Sequence, residues 1–311
     1  MRAIGVTEYG GPDVLHEIEL PDPKPGAGQV RVRVHAATVN PTDTGVRSGA
    51  RDDADRPSVP VVPGMDIAGV LEEIGPETET SLTVGEHVMG IVVPGGSHGG
   101  YSEQVVLPAE SVVRVPKGVD DVAAATLPMN GLTARLTLDV LGLNAGQTLA
   151  VTGAAGCYGG YVVQLAKAEG LRVVADASEE DRNLLAVLGA DLIVDRGDDV
   201  ADRIREAVPE GVDGLADGAV LDDKVIGAVA DGGRIATVRG FAGEPERGVT
   251  YQRVFVRQYA KERAKLDELR ALVERGELTL RVADTYPAAR AAEAHRRLEA
   301  GGVRGRLVLT F

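Results

Sequence analysis

The chain has 311 residues, 44% of them apolar and 26% charged, with mean hydropathy near zero, which excludes disorder as the main state and favours two domains over one. Its formal charge of −14, from 47 acidic against 33 basic side chains, repels phosphate backbones and anionic lipids, so neither nucleic acid nor a membrane is an expected partner. The single cysteine, Cys157, excludes an intrachain disulfide and any multi-thiolate metal site.

Met1 to Glu8 become acidic before any apolar run develops, and no stretch approaches the ~18 apolar residues of a membrane span, so a cytoplasmic protein is expected. The first third reads as β structure. Val30 to Ala36 alternates apolar and charged residues with period two, and Pro21, Pro23, Pro25 and Gly26 forbid a helix before it. Ile67 to Ile74, His87 to Val92 and Tyr101 to Leu107 follow as strands, parted by Gly85, Gly95-Gly96 and Gly99-Gly100. A barrel or partly open sheet is expected. The acidic clusters Asp52-Asp53-Asp55 and Glu179-Glu180-Asp181 read as solvated surface.

From about residue 120 short apolar runs alternate with helical periodicity. Leu149–Thr152 leads into a helix at Tyr158–Glu169, and Arg172–Ala175 into one at Leu184–Leu188. Leu192–Val194 precedes Val200–Val208, Val212–Ala216 precedes Lys224–Ala230, and Arg234–Val238 closes the series. Strands and helices at this spacing predict a doubly wound parallel sheet. The tail predicts a helix at Lys261–Arg275, a strand at Leu278–Val282, a helix from Pro287 to Leu298 and a last strand at Arg306–Leu309.

The strongest local motif is Gly153-Ala154-Ala155-Gly156-Cys157-Tyr158-Gly159, between the strand ending at Thr152 and the next helix. Glycines there let backbone approach a pyrophosphate, and the N–H groups of the helix start can hydrogen-bond it, so the motif predicts dinucleotide binding. Asp176 ends the following strand, where an acid would accept from a ribose 2′-hydroxyl. Ser178, Arg182 and Arg196 could instead hold a 2′-phosphate, which puts NADPH ahead of NADH.

Taken with Val39-Asn40-Pro41-Thr42-Asp43, Arg47-Ser48-Gly49, Pro63 to Val70, Val84 to Val88, Gly100 to Glu103, Leu132-Thr133-Ala134, Leu188 to Asp191, Gly232-Gly233-Arg234 and Gly305 to Leu309, the chain resembles the zinc-independent medium-chain dehydrogenases/reductases of the quinone oxidoreductase, zeta-crystallin-like type. The resemblance implies a mainly β, GroES-like substrate domain at residues 1–120 and 256–311, with a Rossmann-type α/β domain inserted at 121–255. It implies NADPH-dependent, metal-free hydride transfer to a quinone or α,β-unsaturated carbonyl electrophile. The alternatives are an enoyl reductase acting on a biosynthetic intermediate, thioester-linked or polyketide-type, and a non-catalytic nucleotide-binding protein. Zinc-dependent relatives carry Cys where Asn40 stands and Gly-His-Glu where Gly64-Met65-Asp66 stands, and an amide and a thioether are poor zinc ligands. His16, His35, His87, His98 and His295 form no short ligand pair in sequence and read as structural or surface residues.

By the same resemblance Asn40 would lie beside the nicotinamide and donate its amide N–H to the substrate oxygen. Asp43 and Arg47 would shape the substrate cleft, Asp43 being equally readable as a turn or helix cap. Thr133, Gly153, Ala155, Gly156, Cys157, Tyr158, Gly159, Ser178, Arg182, Arg196 and Phe241 make up the expected cofactor-binding set. Tyr158 could alternatively pack at the domain junction, and Cys157 could be a small buried residue or, at a helix N-terminus, a reactive thiol. Relatives commonly dimerise through nucleotide-domain sheet edges, so a homodimer is expected.

Overall fold

The computed structural model describes residues 1–50 and 60–311, so Asp52, Asp53 and Asp55 lie outside the described residues. The chain divides into two compact units, Met1–Met129 with Ala260–Glu274 and Leu280–Phe311, and Asn130–Tyr259 with Arg275–Thr279. The boundary expected after 120 thus falls after Met129, the one expected at 256 falls at Ala260, and residues 275–279 return to the second unit. The first shift has a local cause: Asp121 is hydrogen-bonded to His35 and His87, which ties that stretch to the β structure.

The first unit opens with β1 (Arg2–Gly5) paired antiparallel to β2 (His16–Glu19). Its larger sheet is built on β3 (Gln29–Val39), the strand that the period-two pattern predicts, whose Val30, Val32 and Val34 are buried while Arg33 is exposed. Helix α1 (Pro41–Ser48) follows, then β4 (Asp66–Ile74), β5 (His87–Ile91), β6 (Gln104–Pro108), β7 (Val112–Arg114) and the single turn α2 (Asp121–Ala124). β4 pairs with β3 and β5, β5 with β7, and β6 returns to β3, all antiparallel.

Helix α3 (Pro128–Leu141) crosses the unit boundary. The second unit then alternates strand and helix: β8 (Thr148–Thr152), α4 (Cys157–Ala168), β9 (Arg172–Ala177), α5 (Arg182–Leu188), β10 (Leu192–Asp195), α6 (Val200–Ala207), β11 (Val212–Asp217), β12 (Val229–Thr237) and β13 (Thr250–Arg253). The six strands are parallel in the order β10-β9-β8-β11-β12-β13. This is the Rossmann order, which reverses direction between β8 and β11 and leaves a crevice at their carboxyl ends.

Three elements depart from the sequence reading. The helix expected at Lys224–Ala230 is a 3-10 segment at Asp222–Ala228, and β12 already begins at Val229. Buried Val225, Ala228 and Val229 draw this stretch onto the sheet core. The strand expected at Leu278–Val282 is β14 (Val282–Pro287), which lies parallel to β15 (Arg306–Thr310). Pro287 therefore ends a strand, and a 3-10 turn at Ala288–Arg290 leads into α8 (Ala291–Glu299). Helix α7 (Arg263–Glu274) lies inside its expected range and buries Leu266, Leu269 and Leu272. β15 also pairs antiparallel with β3, so the C-terminal strands complete the first unit's sheet.

Candidate functional site

The glycine motif turns at the carboxyl end of β8, on the Rossmann switch point. Gly153 has φ of 63°, and a Cβ there would stand 2.9 Å from the carbonyl carbon of Gly218, which follows β11. A Cβ on Gly159 would lie 2.4 Å from the Gly153 carbonyl oxygen. Both positions require glycine because backbone packs on backbone. Gly156 is the N-cap of α4 and brings no side chain to its first turn, while Cys157, buried, opens the helix. This is the geometry that presents a helix N-terminus to an anion. The loop after β11 is equally constrained. Asp217 accepts from Thr152 Oγ1 at 2.7 Å and from the Leu221 and Asp222 amides at 2.8 Å. Within this loop Val220 and Asp222 have φ of 57° and 58°.

The acid near the end of β9 has a different partner from the one its position suggests. Asp176 is 6% exposed, and its Oδ1 accepts the Ala154 amide at 3.0 Å. Burial raises its pKa, while the loop amides and the Arg196 charge pull it down. Its carboxylate thus holds the glycine loop. Of the residues expected around a 2′-phosphate, Ser178 Oγ donates to Asp181 at 2.7 Å, and Arg182 is paired with Asp195 and with Glu179 at 3.1 Å. Arg196 is exposed, forms no ion pair among the described residues, and is close enough to Asp176 to affect its charge. Asp181, expected at the surface with Glu179 and Glu180, is 6% exposed.

Of the alternatives for Tyr158, its hydroxyl lies 2.8 Å from Thr137 Oγ1, and its ring lies 3.0 Å from where a Gly218 Cβ would be. The ring is packed between α3 and the loop after β11, and burial pushes its phenol upward. Thr137 Oγ1 also donates to the Thr133 carbonyl at 2.9 Å, so Thr133, 8% exposed, belongs to the same corner. Ala155 is buried in the loop itself. Phe241 stacks edge-on to Tyr251 with centroids 5.3 Å apart, and its carbonyl accepts from Thr237 Oγ1.

In the first unit the three residues expected at the substrate are joined by others that the sequence reading missed. Asn40, the N-cap of α1, and Asp43 are fully buried, and Arg47 is 4% exposed. Asn40 Nδ2 donates to Thr38 Oγ1 at 3.0 Å and to Asp66 Oδ2 at 2.7 Å. Both amide hydrogens are thereby used inside the first unit, where the expectation has this amide donating to a substrate oxygen. Asp66 also accepts from Thr38 Oγ1 at 2.6 Å and from the Met129 amide at 2.5 Å, and burial raises its pKa. At Asn40, where zinc-dependent relatives carry Cys, an amide N–H therefore points at the Asp66 carboxylate.

Asp43 Oδ2 accepts from the Asn40 amide at 2.8 Å and from the Tyr101 hydroxyl at 3.2 Å, and Oδ1 accepts from the Gly64 amide at 3.0 Å. Burial outweighs these donors and raises its carboxyl to about 7. Tyr101 meets His295 Nε2 at 3.1 Å, and Arg47 Nη1 lies 3.2 Å from His295 Nδ1. Burial, helped by Arg47, lowers His295 to about 3, so its ring is neutral. With Nδ1 accepting from Arg47, the ring proton sits on Nε2 and faces the Tyr101 oxygen, whose O–H points to Asp43. Arg47 further donates to the Gly10 carbonyl at 3.0 Å and to Glu299 at 2.7 Å. Asp43 and Arg47 thus act through a buried relay that fixes α1 against Gly64 and α8. Tyr101 was legible inside the Gly100-Tyr101-Ser102-Glu103 motif, but His295, 248 residues from Arg47, carried no sequence signal.

Among the described residues no helix is long and apolar enough to cross a membrane. Residues 26–117 match the alcohol dehydrogenase GroES-like domain, and residues 188–309 match a zinc-binding dehydrogenase family. The chain is 30% identical to the quinone oxidoreductase of Sus scrofa, over 99% of its own length and 97% of the relative's. Among solved structures, an NAD-dependent alcohol dehydrogenase is 31% identical with a TM-score of 0.87, each chain covered fully. A mycobacterial protein complexed with NADPH is 29% identical, also with a TM-score of 0.87 and full coverage of both. Together with the Rossmann unit and the GroES-like unit described above, these likenesses mean that the chain belongs to the quinone oxidoreductase family of medium-chain dehydrogenases/reductases, the NAD(P)H-dependent oxidoreductases.

Proposed function

We propose that this protein is an NADPH-dependent reductase that transfers hydride to a quinone or an α,β-unsaturated carbonyl compound without a catalytic metal. The observation that carries the cofactor reading is the glycine loop on the switch point, with Asp176 turned onto its backbone and Arg196 exposed beside it. Asp176 spends one carboxylate oxygen on the loop, which weakens it as an acceptor for a ribose hydroxyl. Arg196 offers an uncommitted guanidinium for a 2′-phosphate, whereas Ser178 and Arg182 are held by acids. Gly153, Gly156 and Gly159 admit the pyrophosphate to the backbone, and the first turn of α4 offers its donors.

NADPH, when bound, supplies the hydride. The chain's own part is to hold the dinucleotide and to keep the residues around Asn40 fixed. The metal-free reading is supported by donor chemistry: Asn40 presents N–H rather than a lone pair to Asp66, so that pair is already satisfied without a cation. Quinones and enones suit such a site because their developing charge is delocalised and needs no Lewis acid. β13, with Thr250 and Arg253 exposed at the edge of the six-stranded sheet, supports pairing with a second copy.

The reading is tested by following NADPH oxidation with a panel of quinones and enones, with and without chelator. Turnover that survives chelation is expected, and turnover abolished by it would sink the metal-free mechanism. Thioester-linked enones as the sole substrates would instead identify an enoyl reductase.

A further inference from the structure

Apart from the candidate functional site, the first unit brings two histidines and an acid together from three elements. His35 lies on the outward face of β3 and His87 begins β5, with β4 between them. The β3–β4 register slips between Val34 and Ala36, so His35 sits in an irregularity of the ladder, a feature that re-aims side chains. The two rings meet edge-on with centroids 5.9 Å apart. Asp121, at the first position of α2, faces both: its Oδ2 is 2.7 Å from His35 Nδ1 and its Oδ1 is 2.9 Å from His87 Nδ1. The neighbouring Asp120 caps the same turn by accepting the Ala123 amide at 2.8 Å, which fixes where the Asp121 carboxylate points.

We propose that His35, His87 and Asp121 form a binding site for a first-row divalent transition metal, with Zn²⁺ the best match. Their ligand atoms all lie within 4.8 Å of one another. Two imidazole nitrogens and one carboxylate are the donor set that suits Zn²⁺, Ni²⁺ or Cu²⁺, whereas Ca²⁺ and Mg²⁺ prefer oxygen alone. Tetrahedral zinc with bonds of about 2.0–2.1 Å separates its ligands by about 3.3 Å, so the nitrogen–oxygen gaps need to open by roughly half an ångström. The rings can supply that movement, since the side chains of His35 and His87 are 40% and 58% exposed. Asp121, only 10% exposed, is the fixed ligand. Three protein ligands leave the fourth position to water. With both imidazoles neutral the ligand set carries one negative charge, and the chain's charge of −14 attracts a cation further. A bound ion would tie β3, β5 and α2 together. The site shares no residue with the proposed reductase chemistry and does not depend on it.

The test uses the full chain stripped with chelator and titrated with ZnSO₄ by calorimetry. One equivalent is expected to bind, and His87→Gln is expected to weaken that binding at least tenfold. His87→Gln sits on an exposed ring and should fold normally, and His35→Gln serves as the second variant. Co²⁺ in place of zinc should give visible d–d absorption in the wild type that both variants lose, and Zn²⁺ should raise Tm only in the wild type. Zinc uptake that is absent, or that is the same in wild type and both variants, would overturn the assignment.

Discussion

Replacing Asp43 by Asn separates the charge of this buried carboxyl from its shape. The group is fully buried, accepts from Asn40, Gly64 and Tyr101, and has its pKa raised from 3.8 to about 7, chiefly by desolvation. Because the folded-state pKa lies above the unfolded one, the native protein holds a proton that the unfolded chain gives up. That advantage is fully present below the unfolded value and is lost as pH rises through about 7. A rise from 3.8 to about 7 corresponds to about 4 kcal/mol of stability lost across this window. Asparagine cannot titrate there. Its amide would keep oxygen toward Asn40 and Tyr101 and turn NH₂ toward the Gly64 N–H, a buried donor–donor contact costing roughly 2–4 kcal/mol at any pH. Urea unfolding of wild type and Asp43→Asn at matched pH values should therefore show the variant far less stable near pH 4, with the gap narrowing by about 4 kcal/mol toward pH 8. Groups common to both proteins cancel in the comparison. A gap that stays constant, or that widens as pH rises, would refute the reasoning, since widening would mean that the three donors outweigh burial and keep Asp43 ionised.

Arg196→Gln should raise the Kd for NADPH at least tenfold and leave NADH within about twofold, read by fluorescence titration, because only the 2′-phosphate gains a charge-assisted bond. Equal losses for both cofactors would exclude that role. Gly159→Ala places a Cβ 2.4 Å from the Gly153 carbonyl oxygen, so it should abolish dinucleotide binding while the first unit stays folded. Retained binding in a calorimetric titration would mean that the loop tolerates a shifted backbone. Val220 is a β-branched residue at φ 57°, and Val220→Gly should raise stability by about 1 kcal/mol, seen as a higher Tm, because relief of strain exceeds the added chain entropy.

What the sequence could announce was whatever depends on neighbours along the chain. The alternation of Val30, Val32 and Val34 marks a strand with one buried face, and the apolar run into Gly153 marks a strand that turns into a helix. The glycine spacing is a local steric requirement, so its site is readable before any fold is known. β13 escaped because four residues with two exposed ends have no periodicity to read, and α3 escaped because it lacks a contrasting polar face. The strand Val282–Pro287 was misplaced because its pairing with β15 is set across more than twenty residues and not by its own composition.

Only the tertiary structure decided which polar groups were spent. Sequence position made Asn40, Asp43, Arg47 and Asp176 look available for ligands, yet burial obliges each buried polar group to find a partner, and the fold supplied Asp66, Tyr101, His295 and the loop backbone. The same long-range register gathered His35 and His87 onto Asp121, which lies 86 and 34 residues beyond them along the chain. Composition and local pattern thus determined a two-part, dinucleotide-binding chain. Which donors and acceptors remain free for chemistry is a property of three-dimensional packing, because a hydrogen bond is made by distance in space and leaves no period in the sequence.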